Sequence, residues 1–239
     1  LGAAGDFLTI TGAELHGPGY HLLTAGLREL PPAELADDPQ QLIDAVVAQG
    51  ALAFIAHPYW TGQTSADIAV LHDLNGLEVY NSVCERVLGL GLARVHWDDL
   101  LSQGKRLNAL AVDDVHWYMG EQGQGYVMVR AERADEVSIL AALRAGHFYA
   151  STGPKIADLH LVTDGEGQPA LRVQCSPCRY ITFHAAGPNG RRFCAEADAC
   201  LEGATLPLRT EQIYLRVECE DWQGRVAWSN ALFVSDVLG

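Results

Sequence analysis

The chain has 239 residues, 49% of them hydrophobic and 19% charged, with 30 acidic against 16 basic side chains and a formal net charge of −14. That balance belongs to a folded globular protein with room for one large domain or a medium one plus a small one, and it excludes disordered and fibrous classes. The acidic excess repels phosphate backbones and so argues against a nucleic-acid partner, while a metal in an acidic pocket still suits a small phosphorylated substrate.

No apolar run approaches the roughly 18 residues of a membrane span, so no membrane partner is expected and the chain reads as cytoplasmic. It opens "LGAAGDFLTITGAELHG", with no initiator Met, basic stretch or apolar signal segment. That abrupt entry reads as a chain whose upstream residues have been removed, cleaved or left out, which leaves a targeting peptide open.

Residues 1–154 alternate strand-like and helix-like segments. Phe7 to Glu14 and Tyr20 to Leu27 read as strands, and "DPQQLIDAVVAQG" as a helix that starts after Asp37 and Asp38, with Pro39 in its first turn, and closes on Gly50. "ALAFIA" is an unbroken apolar run suited to a strand buried on both faces, ending at His57-Pro58. A helix over Ser65 to Asp73, a strand "GLEVY", helices between Ser82 and Gln103 and a strand "RLNALAV" repeat the order; "GYVMVRA" and a helix from Asp135 to Ala145 follow. Such alternation indicates a parallel sheet or an α/β barrel. From about Lys155 short alternating segments ("KIADLHLV", "ALRVQC", "YITFHAA", "QIYLRVEC", "RVAWSNALFV") are separated by the turns "DGEG", "GPNG" and "DWQG". Residues 155–239 therefore read as a small antiparallel β-sandwich.

Of six cysteines, Cys175, Cys178, Cys194, Cys200 and Cys219 crowd the last third. The Cys-x2-Cys pair is followed by a Cys-x5-Cys pair with no histidine placed beside it, so the spacing favours reduced, packed cysteines over a structural zinc site.

Active sites of α/β barrels gather at the C-terminal ends of the strands. Glu14 ends the first expected strand, His57 ends "ALAFIA", and Asp114 with His116 follow "RLNALAV"; His21 returns beside Glu14 if the first two strands pair through "HGPG". Imidazole and carboxylate are the ligand types of zinc, manganese or iron. Taken singly, His57 is an ordinary loop histidine, Glu14 a surface carboxylate and Asp-x-His a short pattern; together at one mouth they read as a metal site. Glu78 and Asn81 also stand at a strand end, Asn81 equally as a helix cap. His16, His72, His96, His147, His160 and His184 read as structural or solvent-facing. There is no Gly-x-Ser-x-Gly elbow, phosphate-cradling loop or dinucleotide fingerprint.

The segments "TGAELHG", "YHLLTAGL", "AFIAHPYW", "GLEVYNS", "VDDVHW" and "ALRAGHFYASTGP", in that order, resemble the PHP (polymerase and histidinol phosphatase) superfamily of metal-dependent hydrolases, in the branch of carbaryl-hydrolase-like enzymes and phosphoesterases. The resemblance covers about residues 8–154, and "RVAWSNALF" is similar to the end of a following β-domain. It implies a distorted, here incomplete, α/β barrel with two or three divalent metal ions (Zn, Mn or Fe) in the full-length protein and one or none in this chain. By position it implies Glu14 as a bridging carboxylate, His57 as the ligand of the His-Pro motif, His21 as the histidine after the bridging Glu, and Asp114 and His116 as the late Asp-x-His pair. The family's opening His-x-His and its Thr-Asp-His-like motif are absent from this sequence.

The implied reaction is hydrolysis by metal-activated water, with Asp114 as ligand or proton acceptor and His116 as ligand or general acid. A small phosphate ester is the first expectation for substrate and a carbamate or carboxylic ester the second. The rival expectations are a catalytically impaired binding or regulatory module, and a structural protein held by one metal.

Overall fold

A computed structural model describes residues 7–117, 120–197 and 199–239; the first six residues, "LGAAGD", lie outside them. β1 (Glu14–Gly17) and β2 (Tyr20–Ala25) form a hairpin through Gly19, whose φ of +75° suits a residue without Cβ. The helix α1 (Pro39–Val47) is capped by Asp38, whose side chain accepts from the backbone N–H groups of Gln40 and Gln41. β3 (Leu52–Ala56), α2 (Pro58–Thr61), α3 (Ser65–Ala69), β4 (Gly76–Asn81), α4 (Ser82–Leu88), α5 (Arg94–Ser102) and β5 (Asn108–Val112) follow. Then come β6 (Tyr126–Val129), α6 (Glu136–Arg144) and β7 (Phe148–Ser151). The C-terminal part is β8 (Ile156–Thr163), β9 (Pro169–Cys178), β10 (Tyr180–His184), β11 (Arg191–Cys194), β12 (Leu201–Pro207), β13 (Tyr214–Glu220), β14 (Val226–Ser229), β15 (Leu232–Phe233) and α7 (Ser235–Leu238).

Three sheets result. The first has the order β1-β2-β3-β4-β5, antiparallel through β3 and parallel from β3 to β5. Among the described residues it is open, with β1 and β5 at its edges, so the expected barrel is here a mixed open sheet. The second runs β11-β10-β13-β14-β7-β6, with β15 also pairing β13, and the third β12-β9-β8. β6 and β7, expected with the N-terminal unit, hydrogen-bond instead into the second sheet, β7 pairing with β14. A division at residue 154 therefore cuts through a hydrogen-bonded ladder.

The first strand also begins later than its composition suggests. Residues before Glu14 contact β2 irregularly: Thr24 N–H donates to Ala13 O at 2.9 Å and Gly26 N–H to Thr11 O at 2.7 Å. A Cβ on Gly12 would lie 2.2 Å from Thr24 O, so the close approach requires glycine there.

Both faces of the first sheet are buried, as the continuous run "ALAFIA" requires. Ala53, Ile55, Leu77, Val79, Ala109 and Ala111 pack with Ile43 and Val46 of α1 and with Trp97, Leu100 and Leu101 of α5. Leu52, Phe54 and Leu110 meet Leu143 of α6 and Phe148 on the other face. Tyr214, Trp228 and Phe233 of the β-rich half join the first of these cores. A separate core of Leu171, Val173, Ile181, Phe183 and Val217 fills the space between the third sheet and part of the second. These layers hold the C-terminal ends of β3, β4 and β5 side by side.

Candidate metal centre

The hairpin register sets His16 opposite His21. Their rings stack, with centroids 3.8 Å apart. Glu14 Oε1 lies 2.6 Å from His21 Nδ1, 3.2 Å from His16 Nε2 and 3.3 Å from His57 Nε2. One carboxylate oxygen thus faces three imidazoles from three strands or strand ends. His57 arrives there because β3 stops at it: its φ is +25°, sparsely populated for a residue with Cβ, and Pro58 starts α2 with the ring that suits a first helical position. Trp60 of α2 leans over the group, its ring centroid 5.0 Å from that of His57 and 5.8 Å from that of His21.

A second group lies behind His57. Its backbone N–H donates to Glu78 Oε2 at 2.8 Å. Asn81 Nδ2 donates to the same oxygen at 2.9 Å and to Asp114 Oδ2 at 3.1 Å, while Asn81 Oδ1 accepts from Cys84 N–H and caps α4. The donor atoms of His57, Cys84 and Asp114 lie within 4.8 Å of one another, as do those of Glu14, His21 and His57. Asp114 also takes a left-handed φ of +52°. Its neighbour Asp113 holds the segment by accepting three backbone N–H bonds, from Gly123, Gln124 and Gly125.

The charges are set by these neighbours. His57 hydrogen bonding pulls the Glu14 carboxyl down to about 2 against the opposing effect of burial, with His21 adding to the pull. Burial pushes His57 down, yet its hydrogen bond to Glu14 and the charges of Glu78, Glu14 and Asp114 raise it above the ordinary histidine value. His21 is lowered by burial despite Glu14. Burial lifts Glu78 to about 7 and, with the charges of Asp114, Glu78 and Glu14, lifts the Cys84 thiol to about 12.

The donor set fits a divalent cation. Among the described residues His57 Nδ1 is buried with no hydrogen-bond partner, which is costly unless something else satisfies it. Imidazole and carboxylate donors suit zinc, manganese and iron.

Of the sequence-expected residues, Glu14, His21 and His57 converge, and Asp114 converges with His57. His116 belongs to neither group: it is half-exposed, its Nδ1–H donates to Asp114 O at 2.7 Å, and its own N–H is held by the buried Glu121 carboxylate. Glu14 stands at the start of β1 and not at a strand end. His16, read as structural or solvent-facing, lies at the rim of the site, across the hairpin from His21; the turn "HGPG" was the signal that could have placed it there. Cys84 was not singled out, and nothing in its local sequence marks it.

The sequence matches no family model, and no curated protein is similar to it. Among solved structures, a two-domain protein from Bacteroides vulgatus containing a predicted PHP-like metal-dependent phosphoesterase is similar in outline, at 14% identity and a TM-score of 0.46, covering 93% of this chain and 74% of that one.

Proposed function

We propose that the protein is a metal-dependent hydrolase of the PHP type that acts on a small phosphate ester. The observation that carries this reading is the Glu14 carboxylate oxygen with three imidazole nitrogens within 3.3 Å, backed by the buried His57 Nδ1, which has no hydrogen-bond partner among the described residues. The motif series "TGAELHG" to "VDDVHW" supports the same class by resemblance.

Glu14, His21 and His57 would hold one divalent cation, with His16 at its open side, and Asp114 with Cys84 would serve a second position next to His57. When bound, such ions supply Lewis acidity, acidifying a water and neutralising charge that develops on the ester oxygens. The chain's own groups do the rest. Asp114, held by Asn81 Nδ2, is fixed to accept a proton from the attacking water. Glu78 and Asn81 orient His57 and Asp114 from behind, as outer-shell groups do for metal ligands. Trp60 walls one side and excludes water from the ester's organic group. His116, half-exposed beside Asp114, is placed to hand a proton to the leaving oxygen.

The test is turnover of p-nitrophenyl phosphate by chelated protein reloaded with Mn²⁺ or Zn²⁺. Metal-dependent release of nitrophenol that is lost in His57→Ala and Asp114→Asn supports the reading. Turnover of a carbamate or carboxylic ester with none of the phosphate ester would overturn the substrate class, and the absence of all turnover by the metal-loaded native chain would overturn the activity.

A further inference from the structure

Three cysteines meet in the core of the β-rich half. Cys175 and Cys178 come from β9, in the third sheet, and Cys219 from β13, in the second. Their sulfurs lie within 4.8 Å of one another, and all three residues are buried, Cys178 and Cys219 completely. The pair that the sequence spacing offered, Cys194 and Cys200, is exposed and stands apart from this group. The third partner is instead 41 residues further along the chain than Cys178.

A local break in β9 makes the meeting possible. Leu171, Val173 and Cys175 point inward at the period of two expected of a strand, and Cys178, three further on, would then face outward. The pairing registers shift here, between Leu201 and Gly203 on β12 and between Ile156 and Asp158 on β8, so that Cys178 is turned back into the core. Ser176 fixes the break by donating its N–H to Lys155 O while its hydroxyl accepts from Lys155 N–H. The irregularity brings a second sulfur of β9 to the same buried point.

We propose that Cys175, Cys178 and Cys219 form a thiolate site for a zinc-class thiophilic metal ion, which ties the third sheet to the second. The geometry is close to what the ion needs. Zinc–sulfur bonds of about 2.3 Å set sulfurs about 4 Å apart around one ion, so the 4.8 Å cluster closes with small side-chain rotations. The donor chemistry selects against hard cations: three soft sulfurs suit zinc and its congeners, not magnesium or calcium. Three clustered thiols leave one over in any disulfide, whereas one ion uses all three. On binding, the three S–H bonds release their protons to solvent and three sulfur–metal bonds form, with no change of oxidation state. Cys175 is the least buried of the three.

The experiment uses the full chain with Cys84, Cys194 and Cys200 replaced by serine, reduced and freed of metal, and titrated with Cd²⁺ and then Zn²⁺. Sulfur-to-metal charge-transfer absorption saturating at one Cd²⁺ per chain, reversed by Zn²⁺, is expected, together with protection of all three thiols from alkylation. Adding Cys219→Ser should abolish the absorption, while adding His57→Ala should leave it intact. No charge-transfer band in the folded three-cysteine chain overturns the proposal, as does an intact mass short of two hydrogens after purification without reductant, which would show a disulfide. If Cys219→Ser fails to fold by circular dichroism, the titration of the three-cysteine chain decides alone.

Discussion

Asn81 ties the candidate metal centre to the stability of the fold, and its replacement should register in both. The side chain is completely buried and makes three bonds: it accepts from Cys84 N–H at 3.0 Å and donates to Glu78 Oε2 at 2.9 Å and to Asp114 Oδ2 at 3.1 Å. Asn81→Ala removes the helix cap, a loss of about 1 kcal/mol. It also leaves the buried Glu78 carboxyl with the His57 N–H as its one donor among the described residues, which costs about 1.5–3 kcal/mol. Asp114 is partly exposed and takes water instead, so its share is small. The sum is about 2.5–4 kcal/mol of unfolding free energy, read by urea denaturation in the presence of a chelator. Divalent-cation affinity, read by calorimetric titration, should fall about 10–100-fold because Asp114 and Glu78 lose their orienting partner. Asn81→Asp separates the effects: it keeps the capping oxygen but sets a third carboxylate beside Glu78 and Asp114, so it should be most unstable at neutral pH and recover on acidification. Stability of Asn81→Ala within about 0.5 kcal/mol of the native chain, with unchanged cation affinity, would refute the reasoning.

In chelated protein the Glu14 carboxyl, held near 2 chiefly by His57, adds stability above its ordinary value of 4.5 and loses it as the pH falls toward 2; thermal midpoints across the acidic range should show that loss, and Glu14→Gln should flatten it. Arg216 is completely buried, with Nε and Nη2 each 2.6 Å from the Asp98 carboxylate and Nη1 2.7 Å from Glu218 Oε1. Arg216→Met takes from the buried Glu218 carboxylate its closest cation and leaves it Arg94 Nη1 and His184 Nε2, each at 3.3 Å from Oε2, so it should cost up to about 3 kcal/mol in chemical denaturation. Asp113→Ala removes the acceptor of three backbone N–H groups and should speed proteolytic cleavage C-terminal to it and weaken cation retention; native-like cleavage rates in limited proteolysis would contradict that role.

What the sequence made legible was local. Asp38-Pro39 followed by Leu42, Ile43 and Val46 carries the start and the buried face of α1 within nine residues, and "ALAFIA" carries its own double-sided burial. Where an assignment depended on a distant partner, local pattern could not supply it. "GYVMVRA" alternates equally well in either sheet, and only its pairing with β7, and that of β7 with β14, places it in the second. β11 (Arg191–Cys194) and β12 (Leu201–Pro207) went unseen because they are largely exposed and polar or glycine-broken, without the inward apolar set of a half-buried strand. The site divides in the same way. His21 and His57 follow from a turn signal and a strand end, whereas Cys84 reaches Asp114 only because α4 begins where β4 and β5 lie side by side. Cys219 joins Cys175 and Cys178 through the facing of two sheets, which no spacing rule contains.

The central claim is that Glu14, His21 and His57 bind a divalent cation. The most direct measurement is a calorimetric Mn²⁺ titration of the native chain beside Glu14→Gln and His57→Ala, with folding checked by circular dichroism; Mn²⁺ is chosen because it prefers oxygen and imidazole to the thiolates of the β-rich half. The account expects saturable binding by the native chain and at least about a tenfold loss of affinity in each folded variant. Equal Mn²⁺ affinity in all three proteins, or no binding by the native chain, would contradict it.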